Sequence, residues 1–252
     1  MSQKGFFEKV NRVMELGIQE INCKGYEKII KNLIPHALKT EVSDREISKI
    51  SNRGSARSLY ELLGFHYCCV DIEEKYGSIC LDLNFDSVPL DHHNLYDLVT
   101  NFGTTEHVAN QLNAFKVIHD LTKVGGYMWH DVPFTGYVNH GLVNYTTKFF
   151  YSLCKSNRYQ LCDLHIQPIV AMRKLPEDVV TALNVPDDFA ENFQYRDSGL
   201  SVLIQKVQDI PFVPPLDGLP TGMNDLQKSR YWTVTEFDIE KALIESRKKY
   251  YY

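Results

Sequence analysis

Asn94–Phe134 reads NLYDLVTNFGTTEHVANQLNAFKVIHDLTKVGGYMWHDVPF, and the order of its patterns decides the fold. Leu95–Asn101 is a short apolar run of strand length. The small residues Gly103, Thr104 and Thr105 follow it. From His107 to Leu121 the apolar residues recur at helical spacing, and Gly125–Gly126 ends that stretch. Tyr127–Val132 is a second strand-like run. Strand, small-residue loop, helix, turn and strand in this order predict parallel strands joined by a covering helix.

The same alternation extends to both sides. Upstream, the pattern predicts strands at Glu46–Ile50, Tyr67–Asp71 and Ile79–Leu83, and a helix over Ser55–Leu63 ended by Gly64. Downstream, a helix fits Thr146–Lys155 and strands fit Gln160–Gln167 and Leu200–Lys206. Pro168–Gly199 between those strands reads as a polar, partly helical insertion. A parallel sheet covered on both faces binds ligands beyond the carboxyl ends of its strands, so the loops there are the places to search for chemistry.

The flanks read differently. Phe6, Val10, Val13, Gly17 and Ile21 recur every three or four residues, which predicts a helical N-terminal segment over residues 1–44. Residues 45–206 form the expected α/β domain, with residues 168–199 inserted. In residues 207–252 the tract DIPFVPPLDGLPTG is too rich in proline and glycine for regular structure. Thr233 with Glu236 then resembles a capping box opening a last helix to about Lys249.

The 252 residues are 44% hydrophobic and 23% charged, with a net charge of −5, which excludes a disordered or collagen-like chain and gives no sign of a basic nucleic-acid-binding surface. No run approaches the ~18 apolar residues of a spanning helix, and the charged N-terminus lacks the apolar core of a signal peptide. Six cysteines show no CxxC pair. Reduced thiols and a cytoplasmic location are the expectation.

Two acids stand at predicted strand ends. Asp71 closes HYCCVD, and a carboxylate there can accept both hydroxyl hydrogens of a ribose; it can equally cap the next turn. Asp82, followed by Leu83, can accept from an exocyclic amine while the leucine packs on an adenine ring. Gly54 lies in the loop SNRGSA before a helix start, where a nucleotide can approach backbone N–H groups. His107, His130 and His140 are each expected near the carboxyl-end face, where an imidazole can serve as a general base. Their spacing, with Asp131, matches no standard metal-ligand signature, and no metal is expected.

The segments YDLVTNFGTTEHV and LTKVGGYMWHDVP resemble the fourth- and fifth-strand region of class I S-adenosylmethionine-dependent methyltransferases. The resemblance spans Arg45 to Lys206 and is strongest from Asp97 to Phe150. TGYVNHGLVNYTTKFFYSL resembles a segment found in members with small-molecule or sugar-like acceptors. The resemblance implies a Rossmann-like, mostly parallel seven-stranded sheet with one antiparallel strand and helices on both faces. It implies methyl transfer from S-adenosylmethionine to an oxygen or nitrogen of a small acceptor, and with the composition above no membrane partner is expected and a nucleic-acid partner is not favoured.

Carried onto this sequence, it implies that the loop from Asn52 to Ala56, with Asn52 and Gly54 at the cofactor, faces its methionine part. Asp71, with Ile72 beside it, would bind the ribose, and Asp82 and Leu83 the adenine. Asn101, Phe102 and Gly103 would line the methyl-transfer channel. His140 is the expected general base, ahead of His107, because His107 is expected to open a helix whose positive end disfavours an imidazolium. Two departures stand out. EISKISNRGSA holds only one glycine of the family's acid-x-Gly-x-Gly-x-Gly pattern. Ile72–Ser78 is too short for a full parallel crossover with a helix. A non-catalytic module of the same fold is the alternative. A nicotinamide-dependent oxidoreductase would need a Gly-x-Gly-x-x-Gly turn that is missing here.

Overall fold

Arg12–Leu16, which the spacing places in a helix, is a strand, and it lies between two parallel neighbours in the main sheet. The computed structural model describes residues 9–22, 43–45, 47, 52–137, 140–174 and 194–231. Within these the strands are β1 (Arg12–Leu16), β2 (Glu20–Asn22), β3 (Asn52–Ser55), β4 (His66–Asp71), β5 (Ile79–Cys80), β6 (Tyr96–Phe102), β7 (Thr122–Thr135), β8 (Gln160–Lys174) and β9 (Gln194–Gln205). The helices are α1 (Ala56–Leu62), α2 (Gln111–Leu121), α3 (Thr147–Ser156) and α4 (Asp225–Ser229).

Seven strands form one sheet in the order β5-β4-β1-β6-β7-β9-β8. β1, β4, β5, β6 and β7 are parallel, and β9 runs antiparallel between β7 and β8. This is the Rossmann-like sheet with one antiparallel strand that the sequence predicts. β2 and β3 pair separately in a two-stranded sheet.

β1 misleads a periodicity reading because both of its faces are covered. Met14 and Leu16 point into the larger core with α2 and α3, through Phe115, Ile118 and Phe150. Val13 points the other way, with Leu98, Tyr60 and Phe65. A strand covered on both sides loses the polar alternation that would mark it, so RVMEL reads as well as a helix turn. Asp97 Oδ2 accepts from the N–H groups of Asn11 (2.9 Å) and Arg12 (2.7 Å), which fastens the start of β1 to β6.

Other boundaries move for local reasons. Ile47 is helical, as are Asp44 and Arg45 before it, and the rest of the strand expected at Glu46–Ile50 lies outside the described residues. The helix expected from His107 instead begins at Gln111, where the Asn110 side chain accepts from the Asn113 N–H. Thr105–His107 is a separate 3-10 turn. β4 and β5 are joined by residues 72–78 without a helix, and pair in parallel only over Val70↔Ile79 and Asp71↔Cys80. The expected insertion 168–199 contributes strand at both ends, to Lys174 and from Gln194. Between them, residues 175–193 lie outside the described residues, as does the expected helix from Thr233 to Lys249.

β1 and β6 are adjacent in the sheet, but the chain leaves them in opposite directions, to β4 and β5 on one side and to β7 on the other. That makes a switch point at their carboxyl ends. Leu16 pairs with both Val70 and Asn101, so the loops after β1, β4 and β6 emerge at one level.

Candidate functional site

A cavity of about 320 Å³ opens at this switch point, lined by the loops after β1, β4, β5 and β6. Its floor is Gly17-Ile18-Gln19. Gly17 has φ +70°, and a Cβ built there would lie 2.6 Å from Thr104 Oγ1, so no larger residue fits without a shift. Thr104 Oγ1 donates to the Leu16 carbonyl (2.6 Å), and the Gly17 N–H donates to the Val70 carbonyl (2.9 Å). The turn is thus held against both neighbouring strands.

Glu15 supports it from below. Its side chain is 1% exposed, yet Oε2 accepts from the Gln19 N–H (3.3 Å) and from the Tyr67 hydroxyl. Burial raises its carboxyl to about 7, partly offset by the hydrogen bonds from Tyr67 and Gln19.

The two strand-end acids converge on the cavity. Asp71 Oδ2 accepts from the Ile18 N–H (2.8 Å) and Oδ1 from the Glu73 N–H (3.0 Å), so the carboxylate bridges the β1 and β4 loops and lines the cavity. Each oxygen keeps a further lone pair. Asp82 Oδ1 accepts from the Asn84 N–H (2.8 Å), and Ile72, Asp82 and Leu83 line the same wall. Gly103, Thr104, His107 and Val108 complete the opposite wall.

Four expected residues stand elsewhere. Asn52 and Gly54 belong to β3, not to the turn after the first parallel strand. β3 runs beside that turn, and the Ala56 N–H donates to the Gln19 carbonyl (3.0 Å). Asn101 is fully buried: its Nδ2 donates to Thr105 Oγ1 (2.8 Å), its Oδ1 accepts from the Thr105 N–H (3.1 Å), and it lies 3.1 Å from His130 Nδ1. Phe102 packs edge-on against Trp129 and is absent from the cavity wall. Of the three residues expected at the end of the fourth strand, only Gly103 reaches the cavity.

The histidines separate. His130 lies inside β7, wholly buried against Phe115 and Phe150, and burial pushes its imidazole down to about 3. It does not reach the carboxyl-end face. His107 and His140 do come together, with ring centroids 5.2 Å apart. His107 sits in the 3-10 turn, so the helix-end argument that ranked it below His140 does not apply. Between them is Glu106, 1% exposed, whose Oε1 lies 3.7 Å from His140 Nε2. Burial raises the Glu106 carboxyl, opposed by the two nearby imidazoles.

Sequence reasoning missed Glu15, Gly17, Gln19, Thr104 and Glu106. A signal for the first two was present: Glu15-Leu16-Gly17 supplies the acid and first glycine of the pattern sought at residues 46–56, directly after an apolar run. Glu106 is adjacent to His107 in TTEHV, but its meeting with His140 depends on the β7 loop.

No protein-family model and no curated protein matches the chain. Many solved structures to which it is similar are S-adenosylmethionine-dependent methyltransferases. One, from Archaeoglobus fulgidus, has 11% identity and a TM-score of 0.43, covering 80% of this chain and 88% of that one. An O-methyltransferase from a trans-AT polyketide synthase of Brevibacillus brevis, in complex with S-adenosyl-L-homocysteine, has 13% identity and a TM-score of 0.43, covering 95% and 79%. The 16S rRNA (adenine(1408)-N(1))-methyltransferase of Catenulisporales acidiphilia has 10% identity and a TM-score of 0.40, covering 81% and 89%.

Proposed function

We propose that the chain transfers a methyl group from S-adenosylmethionine to an oxygen or nitrogen of a small acceptor. The observation that carries this reading is the cavity at the switch point, where Asp71 and Asp82 face the Gly17–Gln19 turn. The donor set fits the cofactor. Asp71 has acceptor capacity left for two ribose hydroxyls, and Asp82 offers a carboxylate to an exocyclic amine. Ile72 and Leu83 give that wall apolar surface for a ring, and Gly17 with Gly103 leaves backbone close to the methionine end.

The bound cofactor supplies a sulfonium methyl group as the electrophile. The chain's own part is alignment and exclusion of water. Glu15 and Thr104 hold the β1 turn, and buried Leu83 and Val108 dry the walls. The Glu106–His107–His140 group sits at the rim beside Gly103 and Thr104 and handles the acceptor's proton, with His107 and His140 its exposed members.

The test is calorimetric titration with S-adenosylhomocysteine. Asp71→Ala is expected to weaken binding by about 10- to 150-fold, the loss of charge-assisted hydrogen bonds worth about 1.5–3 kcal/mol. Equal affinity in a folded variant removes Asp71 from the site. Binding without transfer to any screened acceptor favours a module that only binds.

A further inference from the structure

Glu106, His107 and His140 each offer one ligand atom, and these atoms lie within 4.8 Å of one another. The residues come from two segments, the 3-10 turn after β6 and the loop after β7. Glu106 Oε2 is buried without a hydrogen-bond partner, although the side chain is only 1% exposed. A buried carboxylate oxygen without a donor is costly, and native proteins rarely keep one without a cation or water to meet it. A proton shared between His140 and Glu106 Oε1 would still leave Oε2 unmet.

We propose that these three side chains bind a divalent first-row transition ion. Two imidazoles and one carboxylate suit zinc, iron, cobalt or manganese, whereas magnesium and calcium take oxygen ligands. Three protein ligands leave a position open to solvent or to another oxygen. Two donors about 2.1 Å from a tetrahedral ion stand about 3.4 Å apart, so closure needs about an ångström of movement. The exposed imidazoles can supply it.

The loop that carries His140 is fixed to Glu106 itself. The N–H groups of Leu142 (2.8 Å) and Val143 (3.1 Å) both donate to the Glu106 carbonyl. Gly141 lies flat on the same residue, where a Cβ would meet Glu106 Cγ and the carbonyl oxygen at 3.0 Å. The backbone therefore keeps the three ligands together while the His140 ring, 46% exposed, can turn. A cation here would lower the pKa of an acceptor hydroxyl beside it. That role rests on the methyl-transfer reading; ion binding does not.

The experiment is titration of chelator-stripped protein with Zn(II) by calorimetry and with Co(II) by visible absorption. One ion per chain is expected, without the thiolate charge-transfer band that exposed Cys80 would give. His107→Ala and His140→Ala, both at exposed positions, and Glu106→Gln should each weaken binding by at least about tenfold. Gly141→Ala keeps all three ligands but pushes the loop from Glu106, and should weaken binding as well, which covers the case in which Glu106→Gln does not fold. No stoichiometric ion, or equal affinity in the His107→Ala/His140→Ala double variant, overturns the proposal. S-adenosylhomocysteine titrated into the same samples separates the two readings, because either ligand can fail without the other.

Discussion

At Gly17 a hydrogen atom stands where any other residue would place a methyl group 2.6 Å from Thr104 Oγ1, on a backbone with φ +70°. Gly17→Ala therefore meets two obstacles, a left-handed conformation and a steric one. Together these should cost about 1–3 kcal/mol of stability and displace the turn. Adding Thr104→Ala removes the obstructing hydroxyl but not the φ penalty, so the double variant should recover only part of the loss in urea denaturation. A Gly17→Ala protein as stable as the wild type would mean that the turn is free to rearrange. The same residue shows the limit of the sequence reading. Asp71, Asp82 and Gly103 are legible because each ends an apolar run in its own neighbourhood. Gly17 also ends one, but Phe6, Val10, Val13 and Ile21 around it happen to fall at helical spacing.

At the scale of elements, the 3-10 turn Thr105–His107 is held by a polar network that no local pattern announces. Asn101 grips Thr105 through both its side-chain atoms, and the Tyr145 hydroxyl lies 2.8 Å from Thr105 Oγ1 and 2.6 Å from Gln111 Oε1. Gln111 Nε2 in turn donates to the Thr105 carbonyl (2.7 Å). Tyr145→Phe leaves these groups short of a partner in a buried place. It should cost about 1–3 kcal/mol and speed amide exchange at His107 and Val108, whose N–H groups close the turn. Unchanged exchange there, measured by NMR, would show that Asn101 alone suffices. This network also explains why the sequence misplaces the start of α2. Apolar spacing continues through Val108, but Asn101 and Gln111 satisfy the turn's polar groups separately and leave Asn110 to cap the helix. The parallel character of the sheet was legible because alternating whole elements signal it, whereas the antiparallel strand was expected only from the family resemblance. The meeting of Glu106 with His140 was not, since it joins two loops separated by all of α2 and β7.

For the molecule as a whole, burial has moved titratable groups in opposite senses, and pH should separate them. His130 is pushed down to about 3 and His119 to about 4, so each is neutral when folded at pH 5. A depressed imidazole contributes stability that is present above its unfolded value near 6.5 and is lost as the pH falls through the folded values. Glu15, raised to about 7, behaves in the opposite way. Its contribution is complete below its unfolded value of 4.5 and is lost as the pH rises to about 7. At about 1.4 kcal/mol per pH unit, the two imidazoles weaken the fold on acidification, and Glu15 offsets about half of that. Glu106 and Asp131, also raised by burial, act in the same sense as Glu15. Glu15→Gln keeps the shape at the Tyr67 contact but cannot ionise. Relative to the wild type it should therefore gain on the order of 3 kcal/mol between about pH 4.5 and pH 7, and should lose stability more steeply on acidification. Urea midpoints of both proteins across that range measure the gap. A gap that stays constant with pH would mean that Glu15 titrates alike in the folded and unfolded chains, and that water or a rearranged Tyr67 reaches it beneath the Gly17 turn.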